Sequence, residues 1–560
     1  MSSRTLSVAV MGHGTSFPAW QALALRDLLA VPGVSVPLLI VDPRRAEAAD
    51  RRRRRWQDPA LLWRVYNNRW VARRSAALGQ VDLSNELDAA TVLRARVERR
   101  GKWSEHFSDD DLATIRDHAP DIILRFAYGI IRGQILDIAP FGVWSFHHGD
   151  IERYRGGPPA FWEIDRDDHV TGAVLQRLTD RLDGGVVLQQ GWFATVKHSY
   201  VRNLDRVLFG GAHWPAQMCR EVLAGRTSRT AAPPTTSHAP IDHNPTTGQM
   251  VGFVGRLGRN WLKGQTRSIV LTDRWRIGVV DAPIADVAQH GAADPRWIAA
   301  GVPRCEYVAD PFPDPSTGSV LAEHFSYRSR QGRLVRIDPR EASPRMQPVD
   351  APIAAHASYP FTLVADGRSL CFPQIAGDAG VQSFELTDRG LRTMRLLVPD
   401  VHAIDPTLVQ HDDHWWLFFT DGDRGPMSHL HVWHARALGG PWEPHLANPV
   451  KVDVRSARPA GTPFVVGGAL HRPAQDCSVT YGGGIVVNRI ERLTPHEFEE
   501  RPVSTLRPHG TWAGATGCHT LSSVDDRTLI DAKWAEICPV ATVGELRARI
   551  GRLAVRRARS

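Results

Sequence analysis

His147 follows a short apolar run, FGVWSF, and Ser145 stands two positions before it. An extended backbone sends alternate side chains to one face, so this hydroxyl and this imidazole point the same way. A second histidine, His148, comes next, and YRGGPP then turns the chain, with glycine supplying unusual dihedrals and proline rigidity. Asp183 stands in a tight turn, RLDGG, 36 residues beyond His147. An imidazole from one turn and a carboxylate from another form an oriented general base. With an ordinary pKa near ~6.5, the imidazole takes a proton close to neutral pH. The chemistry this predicts is proton removal from a nucleophile: His147 accepts, and Asp183 fixes the tautomer and stabilises the imidazolium. The reaction calls for no metal.

These residues need a scaffold. TLSVAVMGH (5–13) reads as a strand, PAWQALALRDLLA as a helix and SVPLLIVDP as a second strand. An Arg-rich helical insert is expected over about 44–116. DIILRFAYGI (121–130) and FGVWSF then read as strands, and RGQILDIA between them as a short helix. TGAVLQRL and GVVLQQGWFA read as two more strands joined by TDRLDG, with a helix near 200–225. Strands alternating with helices imply an α/β fold with a doubly wound parallel sheet. Ligands of such sheets lie beyond the carboxyl ends of the strands, where His147 falls.

The bulk figures set limits. The chain has 560 residues, long enough for two or three domains, and an ordinary globular composition of 42% hydrophobic and 23% charged residues. No apolar run reaches the ~20 residues of a membrane span, and the start, MSSRTLSVAVMGHG, does not read as a signal peptide. Six scattered cysteines without a CxxC argue against a disulfide framework or a thiolate zinc site and fit a reducing cytoplasm. The net charge of +8 gathers at RRRRRW (51–56), ARRS (72–75) and the tail 552–560. It permits an anionic partner such as a phosphorylated sugar.

Residues 1–226 are therefore expected to form the α/β domain and the Thr-, Pro- and Ser-rich 227–250 a linker. Beyond about 250 helical periodicity fades and a loose repeat appears: VADPFPD, ASYPFTLVADGRSLCF, AIDPTLVQHDDHWWLFFT, AGTPFVVGGALHR and GCHTLSSVDDRTLID. The anchors Asp310, Ser358 and Asp405 are 48 and 47 residues apart, and the spacing stretches to 56 and 58 for Gly461 and His519. A period near 50 with several strands per unit predicts an all-β five-bladed propeller over 251–545, followed by a basic tail, 546–560.

SFHHGDIERYRGG resembles the signature of the formyltetrahydrofolate-dependent formyltransferases, Asn-x-His, a short loop and then Arg-Gly. PDIILRFAYGIIRGQILDIAPFG and TGAVLQRLTDRLDGGVVL are similar to two further blocks of that family, so the likeness covers about residues 100–195. It implies 10-formyltetrahydrofolate as donor and a primary amine as acceptor. It places the family histidine at His147, the aspartate at Asp183 and the oxyanion-donating asparagine at Ser145, where a hydroxyl has a shorter reach. It implies a pterin slot lined by Phe126, Tyr128, Gly129 and Leu182, and acceptor contacts from His148, Tyr154 and Arg155. The later repeats resemble, more loosely, the N-terminal domain of plant glucosamine inositolphosphorylceramide transferases and five-bladed glycosidase-like propellers. There Asp310 and Asp405 would face a sugar, in a binding role rather than a hydrolytic one. The expected activity is N-formyl transfer to an amino sugar. Formylation of methionyl-tRNA, hydrolysis of the donor and non-catalytic glycan binding stand as alternatives, and nucleic acid is not the expected partner.

Overall fold

The computed structural model describes residues 4–44, 59–101, 103–181, 184–235, 237–290, 294–298, 301–341, 343–510 and 512–542. The arginine run at 51–56, Leu182, Asp183 and the basic tail 546–560 lie outside the described residues. The chain divides into two compact units, Met1–Trp261 and Leu262–Ser560.

Unit 1 is α/β. Its main strands are β1 (Leu6–Gly12), β2 (Val34–Val41), β3 (Thr91–Arg94), β4 (Ile122–Arg125), β5 (Val143–His147), β6 (Val170–Arg177) and β7 (Val186–Ala194). They form one sheet in the order β7-β6-β5-β4-β1-β2-β3. Strands β5, β4, β1, β2 and β3 run parallel. Strand β6 is antiparallel to β5, and β7 to β6. The expected all-parallel sheet is thus mixed at one edge, because the turn from β6 to β7 is too short for the crossover that parallel neighbours require. The central parallel strands β1, β2, β4 and β5 are largely buried, and the edge strand β3 is largely exposed; Ala9, Met11, Leu38, Ile40, Ile123 and Val143 are fully enclosed in one core cluster. Helix α1 (Ala19–Leu29) buries Trp20, Leu25 and Leu28, while α2 (Asp109–Asp117) is capped by Ser108, whose hydroxyl accepts from the Asp111 N–H. Helices α3 (Tyr200–Gly210) and α4 (Trp214–Leu223) stand where one helix was expected.

Three expectations for this region change. The segment read as a helical insert holds short strands as well as short helices, and one of them, β3, is the sheet edge; arginine-rich composition does not fix helical pairing. Residues 227–250 are not a free linker. Ile241–Asp242 pairs in parallel with Arg155–Gly156, and the Ser237 hydroxyl donates to the Ile151 carbonyl, so the segment straps the loop after His147. Gly156 has φ +85°, and a side chain there would strike the Asp242 carbonyl, so the strap itself requires glycine. Helix α5 (Thr247–Val270) occupies the place where helical periodicity was expected to end. Its Phe253 is buried and stacks on Phe161 with ring centroids 4.1 Å apart.

Unit 2 is mostly antiparallel β-sheet. Four sheets follow one another, with first strands at Glu306–Asp314, Ala357–Ala365, Ala403–His411 and Phe464–Val466. A fifth joins Thr272–Val280 to Arg527–Glu536 in unbroken antiparallel register, with Leu521–Val524 alongside. The repeat has a structural counterpart. Pairing slips between Ala309 and Phe312, between Ser358 and Phe361, and between Ile404 and Thr407. At each slip one residue takes a left-handed backbone: Asp310, Tyr359 and Asp405, with φ of +53°, +46° and +53°. The second anchor is therefore Tyr359 and not its neighbour Ser358. No helix among the described residues is long and apolar enough to cross a membrane.

Cys305 and Cys538 form a disulfide across 233 residues, while Cys219, Cys371, Cys477 and Cys518 are free and buried. This corrects the expectation of an all-thiol protein and removes the ground on which the cysteines pointed to a reducing compartment. Cross-links closing long loops stabilise mainly by restricting the unfolded chain, typically by ~2–4 kcal/mol. Replacing both cysteines by serine is expected to lower the stability of unit 2 by about that amount in a urea melt.

Glu163, in the short helix Trp162–Asp165, is 1% exposed and its Oε1 has no hydrogen-bond partner among the described residues. Burial pushes its carboxyl up to about 8. The folded state then keeps a proton that the unfolded chain loses near pH ~4.3, so stability falls as pH rises from there to about 8. Glu163→Gln is expected to flatten that decline in thermal melts between pH 5 and 9.

Candidate functional site

From β1 the chain moves outward through β2 and β3, then returns to lay β4 and β5 on the other side of β1. The direction of winding reverses between β1 and β4, and ligands of open α/β sheets sit at that point, past the strand carboxyl ends. Arg125 ends β4 and His147 ends β5. Ser145 pairs in register with Arg125 on one side and Gln176 of β6 on the other. These four residues line a cavity of about 140 Å³, together with Gly129 and Thr179.

His147 Nε2 lies 2.9 Å from the Tyr154 carbonyl. A carbonyl only accepts, so Nε2 carries the hydrogen and the lone pair of the neutral ring is on Nδ1. The orienting partner seen here is a backbone oxygen of the YRGGPP turn. Asp183, expected in that role, lies outside the described residues. Tyr154 is itself buried, and its hydroxyl donates to Asp168, which also pairs with Arg153 at 2.9 Å. That ionic clamp fixes the turn and hence the carbonyl that His147 meets. Arg155 donates to the Ala239 carbonyl at 3.0 Å and so holds the strap.

Arg125 was not anticipated. Its Nε donates to the Ser145 hydroxyl at 3.2 Å, and its Nη1 to the carbonyls of Tyr128 (3.2 Å) and Gly129 (2.5 Å). Burial pulls the guanidinium pKa below its ordinary value. Glu105 is the carboxylate that acts on it electrostatically, and Glu105 is already bridged by Arg44 at 2.6 Å. The sequence does carry the signal, an arginine inside the apolar run IILRF, since a charge in a buried strand is costly without a purpose. Gln176 is a second such residue: it is 7% exposed and its Oε1 has no partner among the described residues.

The residues expected in a pterin slot separate. Gly129 lines the cavity, but its N–H donates to Glu105 and its carbonyl accepts from Arg125. Tyr128 has φ +68° and its hydroxyl donates to the Ala95 carbonyl. Phe126 packs in an aromatic cluster with Trp20 and Phe146. Leu182 lies outside the described residues. His148 joins that cluster, stacked on Phe146 at 5.6 Å and edge-on to Trp20 at 5.0 Å. Burial drives its pKa down to about 3, so the ring is neutral and packed, and it is not among the residues lining the cavity.

In unit 2 the repeat aspartates are buried and engaged. Asp310 accepts from the Thr520 hydroxyl at 2.8 Å and the Tyr359 N–H at 3.1 Å. Asp405 accepts both arms of Arg458 and the Gln475 amide. His519 Nδ1 sits 2.6 Å from Asp531, whose other oxygen accepts two backbone N–H groups, and its ring stacks on Trp275 at 3.7 Å. Burial raises Asp310 to about 6 and holds Glu323 well above the usual carboxylate range. The residues in these links stand on or beside all five sheets of the unit.

Residues 348–537 match the family described as "Glucosamine inositolphosphorylceramide transferase 1, N-terminal". The rice (Oryza sativa subsp. japonica) protein named glucosamine inositolphosphorylceramide transferase 1 is 31% identical over 195 residues, 33% of this chain and 26% of that protein. The methionyl-tRNA formyltransferase of Nitratidesulfovibrio vulgaris (strain DP4) is 37% identical over 87 residues, 15% of this chain and 26% of that protein. This chain thus spans about a quarter of the length of each of these curated relatives. A solved formyltetrahydrofolate deformylase from Pseudomonas syringae pv. tomato aligns over 40% of this chain and 63% of its own, at 15% identity and a TM-score of 0.27. The chain is similar to formyltransferases in one part and to the plant transferases in another.

Proposed function

We propose that unit 1 transfers a formyl group from 10-formyltetrahydrofolate to a primary amine on a sugar, and that unit 2 is a five-bladed propeller that holds the glycan bearing that amine. The observation that carries the first half is Ser145 and His147 side by side at the end of β5, in one cavity at the switch point of the sheet. His147 removes the proton of the attacking amine through Nδ1, and the Tyr154 carbonyl keeps the ring in the tautomer that leaves Nδ1 free. The Ser145 hydroxyl donates toward the formyl oxygen as the carbon becomes tetrahedral.

The donor fits through groups other than those first expected. The Tyr128 carbonyl and both backbone groups of Gly129 are occupied, whereas the Gln176 Oε1 has no partner among the described residues, and a buried amide oxygen left unpaired costs ~1–3 kcal/mol. The amino and ring N–H groups of a pterin supply such donors. The cavity is smaller than the ~300–1,000 Å³ of sites that enclose drug-sized ligands, so it suits one end of the folate and leaves the rest outside.

Five consecutive antiparallel sheets, the backbone slip repeated in three of them and the pairing of Thr272–Val280 with Arg527–Glu536 support the propeller reading of unit 2. The likeness of residues 348–537 to the N-terminal domain of a transferase named for glucosamine supports an amino sugar as the acceptor. Asp310 and Asp405 are buried and tied to protein groups, which speaks against hydrolysis by them and leaves sugar contacts to other residues of the unit.

The test is incubation of the full chain with 10-formyltetrahydrofolate and a panel of amino sugars, following tetrahydrofolate release and the formamide product. His147→Ala is expected to lower kcat by ~10²–10⁴-fold with an unchanged circular dichroism spectrum. Acceptor-independent formate release, or a variant as active as the wild type, would overturn the reading.

A further inference from the structure

Arg125 stands where an arginine is expensive. It closes a strand whose other members, Ile122, Ile123 and Leu124, are buried, and it lies between β1 and β5. Among the described residues no carboxylate pairs with it, and its hydrogen bonds go to uncharged oxygens only, the Tyr128 and Gly129 carbonyls and the Ser145 hydroxyl. Those bonds use Nε and Nη1. Nη2 makes no hydrogen bond to a described residue and is not sealed off, and the side chain lines the cavity that His147 and Ser145 share. A guanidinium stays protonated even in such surroundings. The cavity thus carries a fixed positive charge: Glu105 acts on it electrostatically but is bridged by Arg44, and Asp180, which also lines the cavity, forms no ion pair with it among the described residues.

We propose that Arg125 is a catalytic residue, the electrostatic partner of the oxyanion that forms during formyl transfer, with Nη2 and the Ser145 hydroxyl as its two donors. This rests on the formyl-transfer reading of the same cavity. The amine nitrogen attacks the formyl carbon, a C–N bond forms and the carbonyl π pair moves onto oxygen. His147 takes the amine proton. The oxygen pair then re-forms the C=O bond as the bond from carbon to N10 of the folate breaks, and N10 receives the proton from His147. The negative charge exists only between the two steps, so a donor placed for it accelerates the chemistry without tightening the ground state. The Nε bond to Ser145 has a second consequence: because the guanidinium donates to the serine oxygen, the serine hydrogen is left for another acceptor, held at rest by a long 3.5 Å contact to the Phe146 carbonyl that an oxyanion would replace.

The experiment compares wild type, Arg125→Lys, Arg125→Met and Ser145→Ala as full chains. In steady-state transfer assays Arg125→Met is expected to lose ~10²–10³-fold in kcat while KM for the folate moves less than about threefold. Arg125→Lys keeps the charge but not the fork, and should fall about tenfold. Calorimetric titration with sodium formate, a small carboxylate that stands in for the oxyanion, is expected to give millimolar binding to wild type, weaker binding to Arg125→Lys and none to Arg125→Met. The inference fails if Arg125→Met keeps kcat within threefold of wild type, or if formate binds wild type and Arg125→Met alike. Should Arg125→Met not fold, Arg125→Lys with full kcat and full formate affinity overturns it equally. A wild type inert toward folate but binding formate through Arg125 would sink the formyl-transfer reading and leave the anion site standing.

Discussion

The parallel register of β4 and β5 is the constraint from which the site in unit 1 follows. Arg125 and Ser145 are cross-strand partners, so their side chains leave the sheet on the same face, a few ångströms apart. The pleat repeats every two residues, which puts His147 on that face too. A shift of one residue in the pairing would send the guanidinium and the imidazole to opposite faces. The apolar runs on both strands resist such a shift, because it would take Ile123 or Val143 out of the cluster in which they pack. The functional groups are thus positioned by the burial of residues that take no part in chemistry.

The sheet strands of unit 1 were legible because buried parallel strands read as continuous apolar runs. The histidine was legible because it follows one of them. The orienting carbonyl of Tyr154 was not, since a backbone acceptor is present at every residue and leaves no mark in the sequence. Arg125 was visible but was read as part of a strand, because strand patterns are judged by the residues that fit and not by the one that does not. His148 shows the reverse error: two adjacent histidines on a strand end must face opposite sides, and only one can reach the cavity. In unit 2 the period was legible, but its phase was off by one at Ser358. The slip sits the same way in all three units, and the residue directly before Pro311, Pro360 or Pro406 is the repeating position, which a shared acidic or small residue type does not mark in the second unit. The Cys305–Cys538 pair could not be read at all, for a separation of 233 residues says nothing about proximity.

Unit 2 has a polar interior of an unusual kind. Asp310, Asp405, Asp531, Arg458 and His519 are all below 9% exposed, and each meets an opposite charge or hydrogen-bond donors. Buried ion pairs add little net stability, because desolvation offsets the attraction, but removing one partner is severe. Such a network selects one arrangement of the sheets over near alternatives. Aspartate at Asp310 and Asp405 also tolerates the left-handed backbone that each slip requires, which most side chains resist. The same residues therefore satisfy a local backbone need and a long-range electrostatic one.

The strand Thr272–Val280 opens unit 2, yet the neighbour it pairs with along its whole length, Arg527–Glu536, follows the other four sheets in the chain. On the ribosome the first strand must wait, with its hydrogen-bonding edge bare, until some 250 further residues have been synthesised. A chain released early cannot complete that sheet, and carries an open β-edge that other chains can join. Quality control of unit 2 is thereby built into its topology: only a chain extended through Glu536 can cover the strand that opens the unit.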